Sequence, residues 1–496
     1  MKRYRILLFV LLFGCLLFLA ACEGEKEKNT SSQTRVVVIG SEIEGIYLAR
    51  AAMDEGLSVI ILDPREQPGG QLIQGQMQFL DEPMDDRNHT LLQGRVKDLF
   101  TRYKKGEIRK ANEFEQYFNS LINGIPMESG ITITGIEKVK DMNTSAQRIN
   151  SITYRTADGL EKTLSADYWV ENTDFTALAG GLGLEPLPGI ETVFGGAKDY
   201  MAASMMMKFR NVNWDKFQKE TSRLSKKEIE DKYGSTSTVT DKFTWGFGKT
   251  GASFTPSNKE VFLRGLNTIN QRDGEVLINA LLLFNVDPSN KGSIQGAMEL
   301  GKSETKRILP HLRQELPGWE NAEINGYPNY LYIRDYKRYS TEYVLQASDI
   351  MSGKMFWDNV SVAGYPIDLQ GTASHTWGQH SGDPDKYGMP LRSFIPKDYS
   401  NVILAGKNVG ASAVAYGSAR IQANTSLAAE VIGILLGRLK GEQDLTKITK
   451  EDMNDIHAYA KKKYSITLSD VKAVNKIKDL SEDQIKELNI GKLTLP

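Results

Sequence analysis

Read for its hydrophobic and polar positions, the chain opens with a basic cluster, Lys2, Arg3 and Arg5, and an apolar stretch from Ile6 to Ala21. A polar run from Glu23 to Ser32 follows. Regular structure is predicted directly after it. Arg35-Val36-Val37-Val38-Ile39-Gly40 is a continuous apolar run, the pattern of a strand buried on both faces of a parallel sheet. A helix-compatible segment from Ile46 to Met53 closes at Gly56, and Leu57 to Asp63 reads as a second strand. Together they make a βαβ unit. Towards the other end, Asn401 to Gly410 reads as a strand entering a glycine turn, and Ser426 to Leu436 as an apolar helix. The middle has a different texture. Met201 to Met207 is methionine-rich, a Lys/Glu-rich helix is expected near Lys226, and aromatics gather at Phe243, Trp245, Phe247 and Phe254. Such side chains are ordinarily core. From about Gly441 the tail is Lys-rich and helical, with helix starts at Thr449-Lys450-Glu451-Asp452 and Ser481-Glu482-Asp483-Gln484, the latter helix stopping at Gly491.

Length and charge narrow the function. At about 100–200 residues per domain, 496 residues allow two to four domains. The 61 basic against 62 acidic side chains argue against nucleic acid as the main partner, because phosphate binding needs a basic surplus on one face. The 2 cysteines, Cys15 and Cys22, both lie near the N-terminus, so the body cannot hold a disulfide, an iron–sulfur cluster or a thiolate zinc site. No Ser-His-Asp elbow, P-loop or zinc-protease motif appears, and no metal site is expected. The N-terminus has the shape of a secretory signal peptide. Its end, Leu19-Ala20-Ala21-Cys22, resembles the lipobox of bacterial lipoproteins, which implies cleavage before Cys22 and acyl chains (palmitate among them) on that residue. A single membrane-spanning anchor is the alternative, although the run falls short of the ~18 residues that mark a span. Two acyl chains suffice for stable anchoring. Either reading puts the bulk of the chain at the cell membrane on its extracytoplasmic side.

The βαβ unit carries a candidate nucleotide site. A helix N-terminus offers free N–H groups and partial positive charge to a pyrophosphate, and an acidic residue about twenty positions on, here Asp63, accepts bonds from ribose hydroxyls. The glycine pattern departs from G-x-G-x-x-G: Gly40-Ser41-Glu42-Ile43-Glu44-Gly45 has Glu42 where the second glycine should stand. A carboxylate about 5 Å from each phosphate charge costs about 3 kcal/mol per charge at an effective dielectric near 20. An inward Glu42 therefore weakens nucleotide binding severely, whereas an outward one leaves the backbone free.

Pro68-Gly69-Gly70-Gln71-Leu72-Ile73-Gln74-Gly75-Gln76-Met77-Gln78-Phe79-Leu80-Asp81 resembles the paired-glycine segment of FAD-dependent oxidoreductases with the glutathione-reductase-like fold. The closest likeness is to the bacterial FAD-dependent oxidoreductase family. Asn401 to Gly410, followed by Tyr416-Gly417-Ser418-Ala419-Arg420-Ile421-Gln422-Ala423-Asn424-Thr425, is similar to that family's C-terminal flavin signature. Further landmarks stand in order at Ile333 to Arg338, Glu342 to Leu345, Gly364 to Asp368 and Tyr387 to Pro396. The resemblance runs from about residue 35 to 437. It implies an α/β fold in which N- and C-terminal segments build an FAD-binding, Rossmann-like domain around an inserted α+β cap. The expected organisation is a signal peptide at 1–21, a lipidated cysteine and tether at 22–34, the FAD domain at 35–195 and 331–440, the cap at 196–330, and a helical appendage at 441–496. The resemblance places FAD against Gly40, Ser41, Glu42, Gly45, Asp63, Pro64, Gly69, Gly70, Gln71, Gln74, Gly406, Asn408, Arg420 and Thr425. Besides Glu42, Trp169-Val170-Glu171-Asn172-Thr173-Asp174 departs from the family, whose strand there ends Ala-Thr-Gly. Both departures bear on how tightly FAD is held.

Candidate reacting groups are few. His375 and His380 flank a loop between two family landmarks and could relay a proton. Arg334, Arg338, Arg392 and Arg420 could each clamp a carboxylate-bearing substrate or simply pair with a neighbouring acid. Arg420, inside the flavin signature, is the leading candidate. The expected function is a membrane-tethered, extracytoplasmic FAD-dependent oxidoreductase exchanging hydride or electrons between a small organic substrate and flavin. A quinone, dioxygen or an exported carrier could be its electron partner. The rival expectation is a non-catalytic binding lipoprotein on a decayed flavoprotein scaffold.

Overall fold

The apolar run at Arg35–Ile39 becomes the central strand of a five-stranded parallel sheet in a computed structural model that describes residues 35–140 and 146–495. Cys22, the signal-like stretch and the tether lie outside the described residues. The strand order is Val402–Leu404, Tyr168–Glu171, Arg35–Ile39, Ser58–Asp63, Met127–Ser129. Alternate side chains of the central strand point to opposite faces. Val36 and Val38 join a core formed with the helices Ile43–Asp54 and Gln422–Leu439. Val37 and Ile39 join another, against the antiparallel strands Thr132–Lys140, Gln147–Arg155 and Glu161–Ser165. The two helices pack closely because Gly433 has no side chain: a Cβ there would collide with the Leu48 carbonyl. The fold is the expected Rossmann-like α/β arrangement, with a C-terminal strand completing a sheet begun by the N-terminal segment.

Both helices run further than their apolar patterns predict. The first starts at Ile43, without a side-chain cap from Glu42 to announce it. The second starts at Gln422, and its first turn is polar in sequence yet buried. Tertiary hydrogen bonds explain this: the Asn424 amide donates to the Ser418 carbonyl at 3.2 Å and the Thr425 hydroxyl to Glu44 at 3.1 Å.

The middle region forms a six-stranded antiparallel sheet centred on Ala203–Arg210, Val276–Leu283 and Val261–Asn270. One face packs on the helix Lys291–Glu315, started by the Asn290 side chain, which accepts N–H bonds from Gly292 and Ser293. The methionine run divides by parity. Met205 and Met207 lie in the core beneath that helix, while Met206 faces Met77 and Tyr332 of the nucleotide domain. In the tail, Thr449 and Ser481 cap Lys450–Tyr464 and Glu482–Asn489 through the reciprocal bonds the sequence indicates. Among the described residues, no helix is long and apolar enough to cross a membrane.

Glu171, at the end of its strand, is fully buried and organises the loop after it. Its carboxylate accepts from Thr173 N and Oγ1 at 2.7 and 2.8 Å, and from Leu178 N and Ala179 N at 2.7 and 2.9 Å. Glu171→Ala would orphan three buried N–H groups and is expected to destabilise the protein by about 3 kcal/mol or more, read as a lowered urea midpoint. A midpoint unchanged from wild type would show that the loop is held otherwise.

Candidate functional site

At the carboxyl end of the central strand the chain must turn tightly. Gly40 does so at φ +95°, its N–H donating to the Leu62 carbonyl at 2.8 Å, and a Cβ there would strike the Asn172 carbonyl. The register that sets Ile39 opposite Leu62 brings Asp63 beside this turn. Asp63 is buried, accepts the Ser41 hydroxyl and the Arg65 N–H, and is pushed above its usual carboxyl range by burial. Ser41 in turn accepts the Gly69 N–H at 2.7 Å, which ties the paired-glycine loop to the turn. Pro64 lies half-buried on the same loop.

The helix N-terminus beyond Gly40 is crowded with the protein's own charges. Glu42 is 1 % exposed and points inward. One of its carboxylate oxygens accepts the Gln71 N–H at 2.9 Å; the other pairs with Arg65 Nη1 at 3.1 Å. The second nitrogen of the same guanidinium pairs with Asp174. Glu42 and Asp174, 132 residues apart and both noted as departures in sequence, thus meet on a single Arg65, which also lies 4.4 Å above the Tyr330 ring. Lys407 closes the cluster, donating to Gln71 Oε1 at 2.9 Å and to the Ile333 carbonyl at 2.6 Å. Burial drives Glu42 up, but Lys407 and Arg65 outweigh it and hold its carboxyl below the usual range. Burial pushes Asp174 up against the pull of Arg65 and Lys407. Glu44, buried and repelled by Glu42, is pushed up to about 7.

The FAD implied by the resemblance can be tested against this arrangement. The turn at Gly40 and the buried Asp63 fit the sugar end of a dinucleotide. The phosphate end does not fit as it stands. The Glu42 carboxylate lies directly against Gly70, where a Cβ would overlap it, and the Gly45 N–H is already bonded to Asn172 Oδ1 at 2.9 Å. The cations there are balanced: Arg65 and Lys407 face Glu42 and Asp174.

Beyond Lys407, where the parallel-sheet domain meets the cap, lies a cavity of about 250 Å³. Three guanidiniums line it, Arg264, Arg334 and Arg420, together with Asp81, Asp368 and Tyr332. Arg334 is 1 % exposed and bonds Ser204 Oγ and the Ala202 carbonyl, with no carboxylate within ion-pair distance among the described residues. Burial and the nearby Arg264 and Arg420 lower it to about 10, against the opposing effect of Tyr332. Arg420 donates to the Tyr332 hydroxyl at 3.2 Å and stands 3.6 Å from Asp368. Asp81 accepts the Tyr365 hydroxyl at 3.0 Å, and burial pushes it up to about 6. The Nε atoms of Arg264 and Arg420 and the Asn279 Oδ1 are buried without a hydrogen-bond partner. The cavity is therefore cationic, with unused donors.

Most residues singled out in sequence converge here. Gly40, Ser41, Glu42, Gly45, Asp63, Gly69, Gly70 and Gln71 surround the charge cluster, and Gly406 and Asn408 join it from the C-terminal strand, Asn408 bonding the Thr173 carbonyl at 2.9 Å. Gln74 is turned aside, bonding Pro68 and Asn329. Thr425 reaches Glu44. Of the four arginines, Arg338 is paired with Asp335 and Arg392 with Asp358, which leaves Arg334 and Arg420 at the cavity. The histidines fall outside it, and the expected proton relay has no geometric support. His375 is exposed and stacked on Phe194 at 4.7 Å, and His380 is an exposed neighbour of Asp383 at 3.4 Å. Arg65, Asp81, Arg264 and Lys407 were not anticipated. Arg65 stands only two residues after Asp63, but nothing local shows that it turns inward.

A family model described as "FAD dependent oxidoreductase" matches residues 35–446. No curated protein matches the chain in sequence. Among solved structures, p-nitrophenol 4-monooxygenase PnpA from Pseudomonas putida DLL-E4 is 10% identical, with 92% of this chain and 94% of that one covered at a TM-score of 0.38. Tetracycline destructase Tet(51) is also 10% identical, with 94% and 99% covered at a TM-score of 0.39. Aklavinone-11 hydroxylase, solved with FAD and aklavinone, is 10% identical, with 83% and 63% covered at a TM-score of 0.38. Likenesses this distant say nothing of substrate.

The raised carboxyl of Glu44 has a pH consequence. Its folded value, about 7, lies above the ordinary 4.5, so the stability it lends is full below about pH 4.5 and is lost as pH rises through 7. Glu44→Gln is expected to be more stable than wild type by about 2–3 kcal/mol above pH 7 and to lose that advantage below pH 5. Urea unfolding across the pH range measures it; an advantage independent of pH would mean that Glu44 stays ionised in the fold.

Proposed function

We propose, for a chain that belongs to the FAD dependent oxidoreductase family and takes FAD as its cofactor, that it exchanges hydride or electrons with a small anionic organic molecule, one bearing a carboxylate, while tethered through Cys22 to the outer face of the cell membrane. The observation that carries the substrate class is the buried Arg334, a cation without a carboxylate partner among the described residues, on a cavity wall shared with Arg264 and Arg420. An uncompensated buried charge is costly unless a counter-ion arrives, and the unused Nε donors of Arg264 and Arg420 suit a planar carboxylate. At about 250 Å³ the cavity is smaller than the ~300–1,000 Å³ of sites for drug-sized ligands.

FAD, when bound, supplies two-electron exchange. The chain supplies the rest. The three arginines bind and orient the anion, and Met77, Phe79 and Tyr332 shield it from water. Asp81, pushed up to about 6 by burial and accepting the Tyr365 hydroxyl, holds or releases a proton at its carboxyl group inside the cavity. The support for tethering is the lipobox-like Leu19-Ala20-Ala21-Cys22 and the polar run that follows it.

Two experiments test this reading. Small carboxylic acids and their neutral amides, titrated anaerobically into the FAD-loaded protein, are followed by flavin absorbance. The acids are expected to perturb the spectrum and the amides not, with Arg264→Met weakening acid binding at least tenfold; amides that bind as well as acids would remove the anionic substrate. For tethering, the wild-type protein is expected to incorporate a labelled fatty acid and Cys22→Ser to lose the label, and labelling unaltered in the variant would refute a lipid on Cys22.

A further inference from the structure

The two acids that replace family glycines do not merely intrude on the phosphate position; they take up the bonding groups there. Glu42 receives the Gln71 N–H beside the paired glycines, and Glu42 and Asp174 together occupy both terminal nitrogens of Arg65. A phosphate would use these same groups: a backbone N–H, a helix N-terminus and a bidentate guanidinium. The side chains of Glu42 and Asp174 are 2% and 1% exposed, so neither is a surface residue swept in by chance. Their arrangement is also incomplete. Arg65 Nε, Asp174 Oδ2 and Glu44 Oε2 are buried with no hydrogen-bond partner, so the cluster leaves bonding capacity that a further ligand could take up.

We propose that Glu42 and Asp174 are a built-in competitor for the phosphates of FAD: their carboxylates hold Arg65 and the Gln71 N–H until the cofactor displaces them, so that FAD binding is weakened by these two residues and takes up protons. The charge balance gives the reason. The ionisable groups facing the position are Glu42 and Glu44 from the helix start, Asp63 and Arg65 from the end of the second strand, Asp174 from its loop, Lys407 from the C-terminal turn and Tyr330 from the segment after the cap. Two cations already face Glu42 and Asp174 there. Adding two phosphate charges leaves an excess of negative charge that Arg65 and Lys407 cannot neutralise. It is relieved when the arriving phosphates drive a proton onto one of the carboxylates, a step that acid favours. The inference rests on FAD being the cofactor and adds that this chain controls how readily it is taken up.

The test is FAD binding to the detergent-solubilised full chain, followed by quenching of flavin fluorescence at pH 5.5 and 8.5. Calorimetry in buffers of different ionisation enthalpy counts the protons. Wild type is expected to bind FAD at least tenfold more tightly at pH 5.5, with net proton uptake. Glu42→Gln with Asp174→Asn keeps the shape and removes the charge; it is expected to bind at least a hundredfold more tightly than wild type at pH 8.5 and to lose most of the pH dependence. The single Glu42→Gln variant serves if the double variant does not fold, with an expected gain of at least tenfold. Riboflavin, which lacks the phosphates, is expected to bind wild type and variant alike. FAD binding that is flat with pH and unaltered in the variants overturns the competitor while leaving FAD as the cofactor, and so does a riboflavin affinity that rises as much as that of FAD. No FAD bound by any form at either pH overturns both.

Discussion

The central strand leaves no face for water. Val36 and Val38 lie against two helices, Val37 and Ile39 against an antiparallel sheet, and Trp169 on the neighbouring strand donates its ring N–H to the Ile149 carbonyl of that second layer. A strand enclosed in this way must carry its polar business at its ends. The chain therefore turns at Gly40 beside Asp63, and the C-terminal strand Val402–Leu404 delivers Lys407 and Asn408 to the same crevice. Sites in open α/β sheets gather at the carboxyl ends of their strands, and the burial of this one strand is why segments as far apart in sequence as Gln71 and Lys407 meet there.

What meets there is charge. Buried ion clusters of this kind contribute little to net stability, because desolvation offsets attraction, yet removing one member strands the others at a large cost. Arg65 is such a member, held between Glu42 and Asp174 and lying over Tyr330. Across the crevice the balance is reversed: Arg334 is buried beside two further guanidiniums, with Asp81 and Asp368 as the carboxyl groups of the same lining. One end of the site sets its cations against its own carboxylates, and at the other the guanidiniums outnumber the carboxyl groups. That asymmetry separates the end where the chain's own acids pair with its cations from the end where Arg334 has no carboxylate within ion-pair distance among the described residues.

The arrangement of elements was legible because it is written in local pattern. The continuous apolar run at 35–39, the strand ending at Asp63, the glycine turn after Leu404 and the caps at Thr449 and Ser481 each carry their own signal. The polar first turn of Gln422–Leu439 was not legible, since its burial depends on partners outside the helix, Ser418 just before it and Glu44 far away in sequence. Among the arginines, four look alike in sequence; only the folded chain sets Asp335 beside Arg338, Asp358 beside Arg392 and Asp368 beside Arg420, and leaves Arg334 with no carboxylate within ion-pair distance among the described residues. The histidines show the converse. Their place between family landmarks suggested proximity to the cofactor, yet the loop that carries them lies on the surface.

The sequence by itself determined the βαβ unit, the two-part nucleotide domain and the two departures at Glu42 and Asp174, because periodicity, glycine spacing and residue type are properties of short segments. Whether Glu42 faced solvent or cofactor stayed open, because a carboxylate's direction depends on what surrounds it. Only the tertiary structure decided it. Asp174 comes from a loop 132 residues away and Arg65 from the loop after the second strand, and together they supply the pairing that keeps Glu42 inside. The cationic cavity was decided the same way: three arginines far apart in sequence line one cavity only in the folded chain.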